Sequence, residues 1–305
     1  MNAPVLAILD SDLKAPQPAL HKAQQIADAS QRPLHVLVNA YSSAMVRAVG
    51  IDQERQNAAR QQIHGAWEKR IRHLTDREDC ELSILWQKDS MEALRESIIA
   101  LQPGMVVVHT SAETGLRRHL FTPRDWQLIR KAPCPVLCVH GRAWSSSPRV
   151  LAALDPGNEA QQDDPLSIRV LDAANEIARH LGGSLRACHV LDEIDDSMIM
   201  LVGEAIPDYA GGMDEVRRFY RERFLKFGGA HGLGPDQMTT LTGPVAATLG
   251  KYCDDQDMDM LVVGTVHRNL PERVLLGATA ESVITRASAD VLVIKPEGFQ
   301  GPWQA

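Results

Sequence analysis

The stretch Leu261–Lys295, LVVGTVHRNLPERVLLGATAESVITRASADVLVIK, decides the fold. Leu261, Val262 and Val263 form an apolar run that stops at Gly264, and a polar loop follows as far as Gly277. Apolar residues then recur at helical spacing, and Val291 to Ile294 makes a second apolar run, so the reading is strand, loop, helix, strand. A glycine at a helix start lets a ligand approach the backbone with no Cβ in the way. The N–H groups of Ala278 and Thr279, together with the helix dipole, favour an anion there. The loop is a candidate phosphate cradle. It has no GxxxxGK arrangement and no dinucleotide glycine spacing, which sets aside a P-loop and a dinucleotide fold.

Working outward, the chain repeats itself. Val5-Leu6-Ala7-Ile8-Leu9-Asp10 is echoed by Val150-Leu151-Ala152-Ala153-Leu154-Asp155. The offset from Thr122 to Val136 equals that from Gly277 to Val291, so FTPRDWQLIRKAPCPVLCV is the counterpart of LGATAESVITRASADVLVI. This is a tandem duplication. Each half parses as five strands alternating with four helices. The first has strands near 4–10, 33–40, 81–87, 104–109 and 134–140, with helices near 16–31, 52–78, 90–101 and 123–131. The second has strands near 149–155, 184–190, 237–242, 259–264 and 290–295. Alternation of this kind predicts an α/β fold: two doubly wound domains, each a five-stranded parallel sheet with helices on both faces. The expected boundaries are 1–141 for the first domain and 149–305 for the second. Between them, 142–148 is a linker, by the Gly, Ser and Pro content of 141–148, GRAWSSSP.

The apolar stripes support this parse. Ile63, Trp67, Ile71 and Leu74 give the long helix of the first half one buried face, with Trp67 in the core, and Val216, Phe219, Tyr220 and Phe224 mark its counterpart. At 305 residues, 44% hydrophobic and 23% charged, the chain is long enough for two cores. A net charge of −7 argues against nucleic acid as a partner, because counterion release needs a basic face. No apolar run reaches the length that spans a bilayer, and the N-terminus lacks a signal-peptide pattern. Five cysteines without a CxxC pair suit reduced thiols in a cytoplasm, with Cys134 and Cys138 as small core residues.

The spacing Gly264-x2-His267-x9-Gly277-Ala278, with Asp155 closing the first strand of its half, resembles the G-x2-G-x9-G-(S/T) nucleotide pattern of the universal stress protein family. The tandem layout, Phe121–Val136 and the close at Leu261–Pro296 resemble the two-domain UspE-type subgroup, over nearly the whole chain. The resemblance implies an adenine-nucleotide-binding domain on the adenine-nucleotide α-hydrolase-like fold, taking ATP with Mg2+. It assigns Asp155 and Val190 to the adenosine end, and Gly264, His267, Gly277 and Ala278 to the phosphate loop. It also implies that the two halves pair within one chain as single-domain relatives dimerise, and leaves open whether the whole chain then dimerises. The implied setting is cytoplasmic, in a stress response, with no membrane partner.

Two positions depart from the pattern. His267 stands at the second glycine, where an imidazole either occludes the phosphate channel or, protonated, pairs with it. Ala278 lacks the expected hydroxyl, a loss of about 0.5–1.5 kcal/mol, with Thr279 one residue along to substitute. The first half departs further: His109-Thr110-Ser111-Ala112 and Thr122-Pro123 replace every glycine, and Pro123 removes an N–H from the helix start. Asp10 there reads as a turn or capping residue.

No G-x-S-x-G, H-E-x-x-H or EF-hand pattern occurs, and no nucleophile, base and orienter can be placed together. No turnover is expected beyond slow incidental ATP hydrolysis. Two functions remain: a non-catalytic stress-response protein binding adenine nucleotide in its second half, or an interaction or apolar-ligand module with both nucleotide sites degenerate.

Overall fold

The computed structural model describes residues 3–50, 52–112, 119–120, 122–156, 165–192, 209–265, 278–299 and 301–303. The described residues cluster into two compact units. One is drawn from Met1–Ala112, Leu120–Ala143 and Gln300–Ala305, the other from Glu113–His119 and Trp144–Phe299.

The first unit carries strands β1 (Val5–Ile8), β2 (Leu34–Asn39), β3 (Glu81–Leu85), β4 (Met105–His109) and β5 (Val136–Val139). All are parallel, in the order β3-β2-β1-β4-β5. Its helices are α1 (Pro18–Ser30), α2 (Ser43–Val49), α3 (Gln53–Leu74), α4 (Ser90–Leu101) and α5 (Pro123–Lys131). Val5, Leu6, Ala7, Val36, Leu37 and Val106–Val108 are fully buried, as continuous apolar runs in a parallel sheet covered on both faces must be. On α3 the stripe reduces to Trp67 and Ile71, at 2% and 1% exposure. Helix α2 has no counterpart in the expected parse. Its signals were local: Ser42 caps the N–H of Met45, and Gly50 ends the helix at φ 76°.

The second unit repeats the plan with β6 (Arg149–Ala153), β7 (Ser184–Leu191), β8 (Met238–Thr242), β9 (Met260–Gly264) and β10 (Asp290–Ile294). The order is β8-β7-β6-β9-β10, again all parallel. Its helices are α6 (Pro165–His180), α7 (Tyr209–Ala230), α8 (Val245–Asp255) and α9 (Ala278–Arg286). In both units the strand order reverses beside the first strand, between β1 and β4 and between β6 and β9. That switch point is where open α/β sheets leave a crevice at the carboxyl ends. On α7 the expected apolar stripe is only partly buried: Phe224 is enclosed, whereas Val216 and Phe219 are 38% and 49% exposed. The inward line instead runs from half-buried Tyr220 and buried Phe224, both against His189, to Gly228, where a Cβ would collide with the Met238 sulfur.

The segment ahead of β6 is held to the second unit by buried carboxylates. Trp144 Nε1 donates to Asp290 Oδ2 at 2.8 Å. Asp259 accepts from the Ser145 N–H at 3.0 Å, the Ser145 hydroxyl at 2.7 Å and the Arg149 N–H at 2.9 Å. Asp259 and Asp290 are 5% and 2% exposed, and buried charge is tolerated when hydrogen-bonded in this way.

Candidate functional site

The two switch points present the same aspartate in two states. In the first unit Asp10 lies just past β1. Its N–H donates to Gln17 Oε1 at 3.0 Å, and Gln17 Nε2 donates back to the Asp10 carbonyl at 3.2 Å, closing the turn into α1. The Asp10 carboxylate is engaged: Oδ2 is 2.7 Å from Nδ1 of His109, the last residue of β4, and Oδ1 is 3.8 Å from Arg124 Nη2. Asp10 thus sits in the strand-end turn expected from sequence, and its side chain in addition faces β4 and α5 across the crevice. Its exposure is 27%.

The start of α5 is closed as well. The Asp125 N–H donates to Thr122 Oγ1 at 3.3 Å, and the Thr122 N–H and hydroxyl both donate to Asp125 Oδ2 at 2.8 Å, a capping box. Asp125 is 1% exposed, and Pro123 at the first helical position has no N–H to offer. The TPRD sequence thus satisfies its own helix end, which a phosphate would otherwise do.

In the second unit Asp155 follows β6, and its N–H donates to Ser167 Oγ at 3.3 Å. Its side chain is 83% exposed, and the nearest ionisable nitrogen among the described residues is His189 Nδ1, at 3.8 Å. No side chain arrives from β9, because Gly264 holds the place that His109 holds on β4. That glycine has a packing reason of its own: a Cβ would lie 2.7 Å from Leu166 Cγ on α6. The next residues match, since Thr265 and Thr110 each bond through N–H and hydroxyl to one carbonyl, Ile294 and Val139.

Of the residues expected at the site, Asp155 and Gly264 fall at the switch point and Val190 is half-buried near the end of β7. Ala278 and Thr279 open α9. His267 and Gly277 lie outside the described residues. Among the described residues there is no cluster of His, Cys, Asp and Glu that could hold a metal, and no helix long and apolar enough to cross a membrane.

His109 and Arg124 were the residues that sequence reasoning missed. The signal was available: the repeat places His109 where the second half has Gly264.

The chain is thus a tandem pair of doubly wound sheets with an aspartate at each switch point. The model of the universal stress protein family matches residues 1–140 and again 148–295. The chain belongs to the universal stress protein family. Universal stress protein E of Photorhabdus laumondii is 24% identical over 95% of this chain and 94% of its own length. Universal stress protein E of Escherichia coli K12 is 23% identical over 98% of this chain and 95% of its own. Among solved structures, a universal stress protein from Pseudomonas aeruginosa UCBPP-PA14 superposes with a TM-score of 0.70 at 24% identity, covering 97% of this chain and 94% of that one. The tandem UspE-type resemblance and the α/β fold both stand on these matches.

Proposed function

We propose that this universal stress protein binds one adenine nucleotide per chain, ATP with Mg2+ or a relative of it, in its second unit, and does so without catalysis. The observation that carries the reading is the contrast between the two aspartates. Asp155 presents an open carboxylate at its switch point, whereas the Asp10 carboxylate is taken by His109 and Arg124. In the proposed site Asp155 and Val190 hold the adenosine end. Gly264, His267, Gly277, Ala278 and Thr279 form the phosphate loop at the start of α9. Phosphate oxygens of the ligand would carry Mg2+ in with them, since the described residues offer it no ligand cluster.

Thermal unfolding of the full chain with and without millimolar ATP and magnesium, beside an Asp155→Ala variant, tests the reading. Ligand at a hundred times its dissociation constant stabilises by about 2.7 kcal/mol. The expected result is an upward shift that the variant loses. No shift, from protein shown to carry no co-purified nucleotide, would sink the proposal.

The second reading, an interaction or apolar-ligand module, is favoured by the exposure of Val216 and Phe219 on α7 and by the packing reason for Gly264. Pairing of the two halves within the chain, pairing of chains with one another and a cytoplasmic setting belong to the same proposal. The mass of the particle by light scattering reports the oligomeric state.

A further inference from the structure

His189 sits on β7 one residue before Val190, with 4% exposure. Its Nδ1 is 3.0 Å from the Leu154 carbonyl oxygen. A carbonyl only accepts, so Nδ1 carries the proton and donates it. The ring lies against Tyr220, with centroids 5.8 Å apart and planes 26° from parallel, and against Phe224 at 6.0 Å. Nε2 is buried without a hydrogen-bond partner. The histidine satisfies the Leu154 carbonyl while leaving its own Nε2 unsatisfied, so apolar packing alone does not account for it here.

The carbonyl that His189 holds belongs to the peptide unit that launches Asp155. The other polar atom of the same unit, the Asp155 N–H, donates to Ser167 Oγ, itself 4% exposed. Both ends of one peptide plane are therefore pinned by buried side chains from two different elements, β7 and α6. The plane can neither flip nor tilt without breaking one bond or the other.

The first unit keeps one half of this arrangement, with buried Gln17 accepting from the Asp10 N–H, and lacks the other. Leu9 N–H bonds to Leu37 O as Leu154 N–H bonds to Cys188 O, so Val38 occupies the place of His189. There the aspartate is steadied through its carboxylate by His109 instead. Both units hold the aspartate N–H with a buried side chain, Gln17 or Ser167, but only the unit with the exposed carboxylate also holds the preceding carbonyl through a side chain of its second strand.

We infer that His189 and Ser167 are positioning residues that hold the Leu154–Asp155 peptide so that the open Asp155 carboxylate is presented to ligand in one orientation. As a role in ligand binding this rests on the nucleotide reading above; as a clamp on the peptide it does not.

The test uses the full chain. Calorimetric affinity for ATP with magnesium is measured for His189→Leu, His189→Asn and Ser167→Ala, each with Asp155 intact and with Asp155→Ala, the latter titrated to ligand concentrations high enough to read its residual binding. His189→Leu and Ser167→Ala should each weaken binding roughly threefold to tenfold, the worth of one positioning hydrogen bond. His189→Asn, whose amide can donate from nearly the Nδ1 place, should restore most of it. In the Asp155→Ala background these losses should vanish. Equal losses in both backgrounds would show a merely structural role and overturn the inference. If wild-type protein binds no ATP, the nucleotide reading fails alone, and amide exchange of Asp155 in the nucleotide-free chain decides the clamp. Faster exchange at Asp155 in His189→Leu supports it, and unchanged exchange overturns it.

Discussion

Asp10 Oδ2 lies 2.7 Å from His109 Nδ1, across the crevice between β1 and β4. The two residues are 99 positions apart in sequence, and each is about a quarter exposed. A hydrogen bond to a charged group at such partial burial contributes about 1 kcal/mol. His109→Ala should lower unfolding stability by about that much in urea titration. Asp10→Ala added to it should cost little more, because the hydrogen-bonding partner is already gone and Arg124 stands off at 3.8 Å. Fully additive losses would show that the pair does not act as a unit.

Gly264 makes a different kind of claim on its neighbours. With a Cβ built there only 2.7 Å from Leu166 Cγ, Gly264→Val overpacks the contact between β9 and α6. The expected cost is about 1–3 kcal/mol. Trimming the opposing side chain with Leu166→Ala in the same molecule should recover part of it. A Gly264→Val variant with wild-type stability would refute the packing account and return the glycine to the ligand alone.

Cys80 is half-buried, and the other four cysteines are buried. Burial pushes the Cys80 thiol up to about 11, with Arg77 pulling the other way and Asp79 and Glu81 adding to the rise. The thiolate is the reactive form. In native protein, iodoacetamide should therefore modify Cys80 alone, and its rate should climb about tenfold per pH unit from pH 8 to 10. An ordinary thiol would level off near its reference value of about 8.5. Peptide mapping against pH gives the profile, and a plateau at pH 9 would contradict it.

The duplication, the parallel sheets and nearly every strand were legible in the sequence, because buried parallel strands are continuous apolar runs that need no partner to be recognised. Helix α2 was not, since seven residues with no buried side chain leave no periodic signal. The exposure of Val216 and Phe219 was likewise hidden: helical spacing says that a face exists, not which part of the helix meets the sheet. The position of Asp155 followed from the repeat, but its difference from Asp10 did not. Whether a carboxylate is open or paired depends on what arrives from β4 and α5, or from β9, and those neighbours are set by the fold.

The carboxylate of Asp259 bears on where the second copy of the duplication begins. The repeated sequence starts at Val150, yet two hydrogen bonds to that carboxylate come from Ser145. A fragment cut at the start of the repeat strips those donors from a group only 5% exposed, whereas a fragment cut ahead of Trp144 keeps them. The seam between the copies is thus offset from the repeat that reveals them. Residues ahead of the repeated run have become part of the foundation on which the second copy stands.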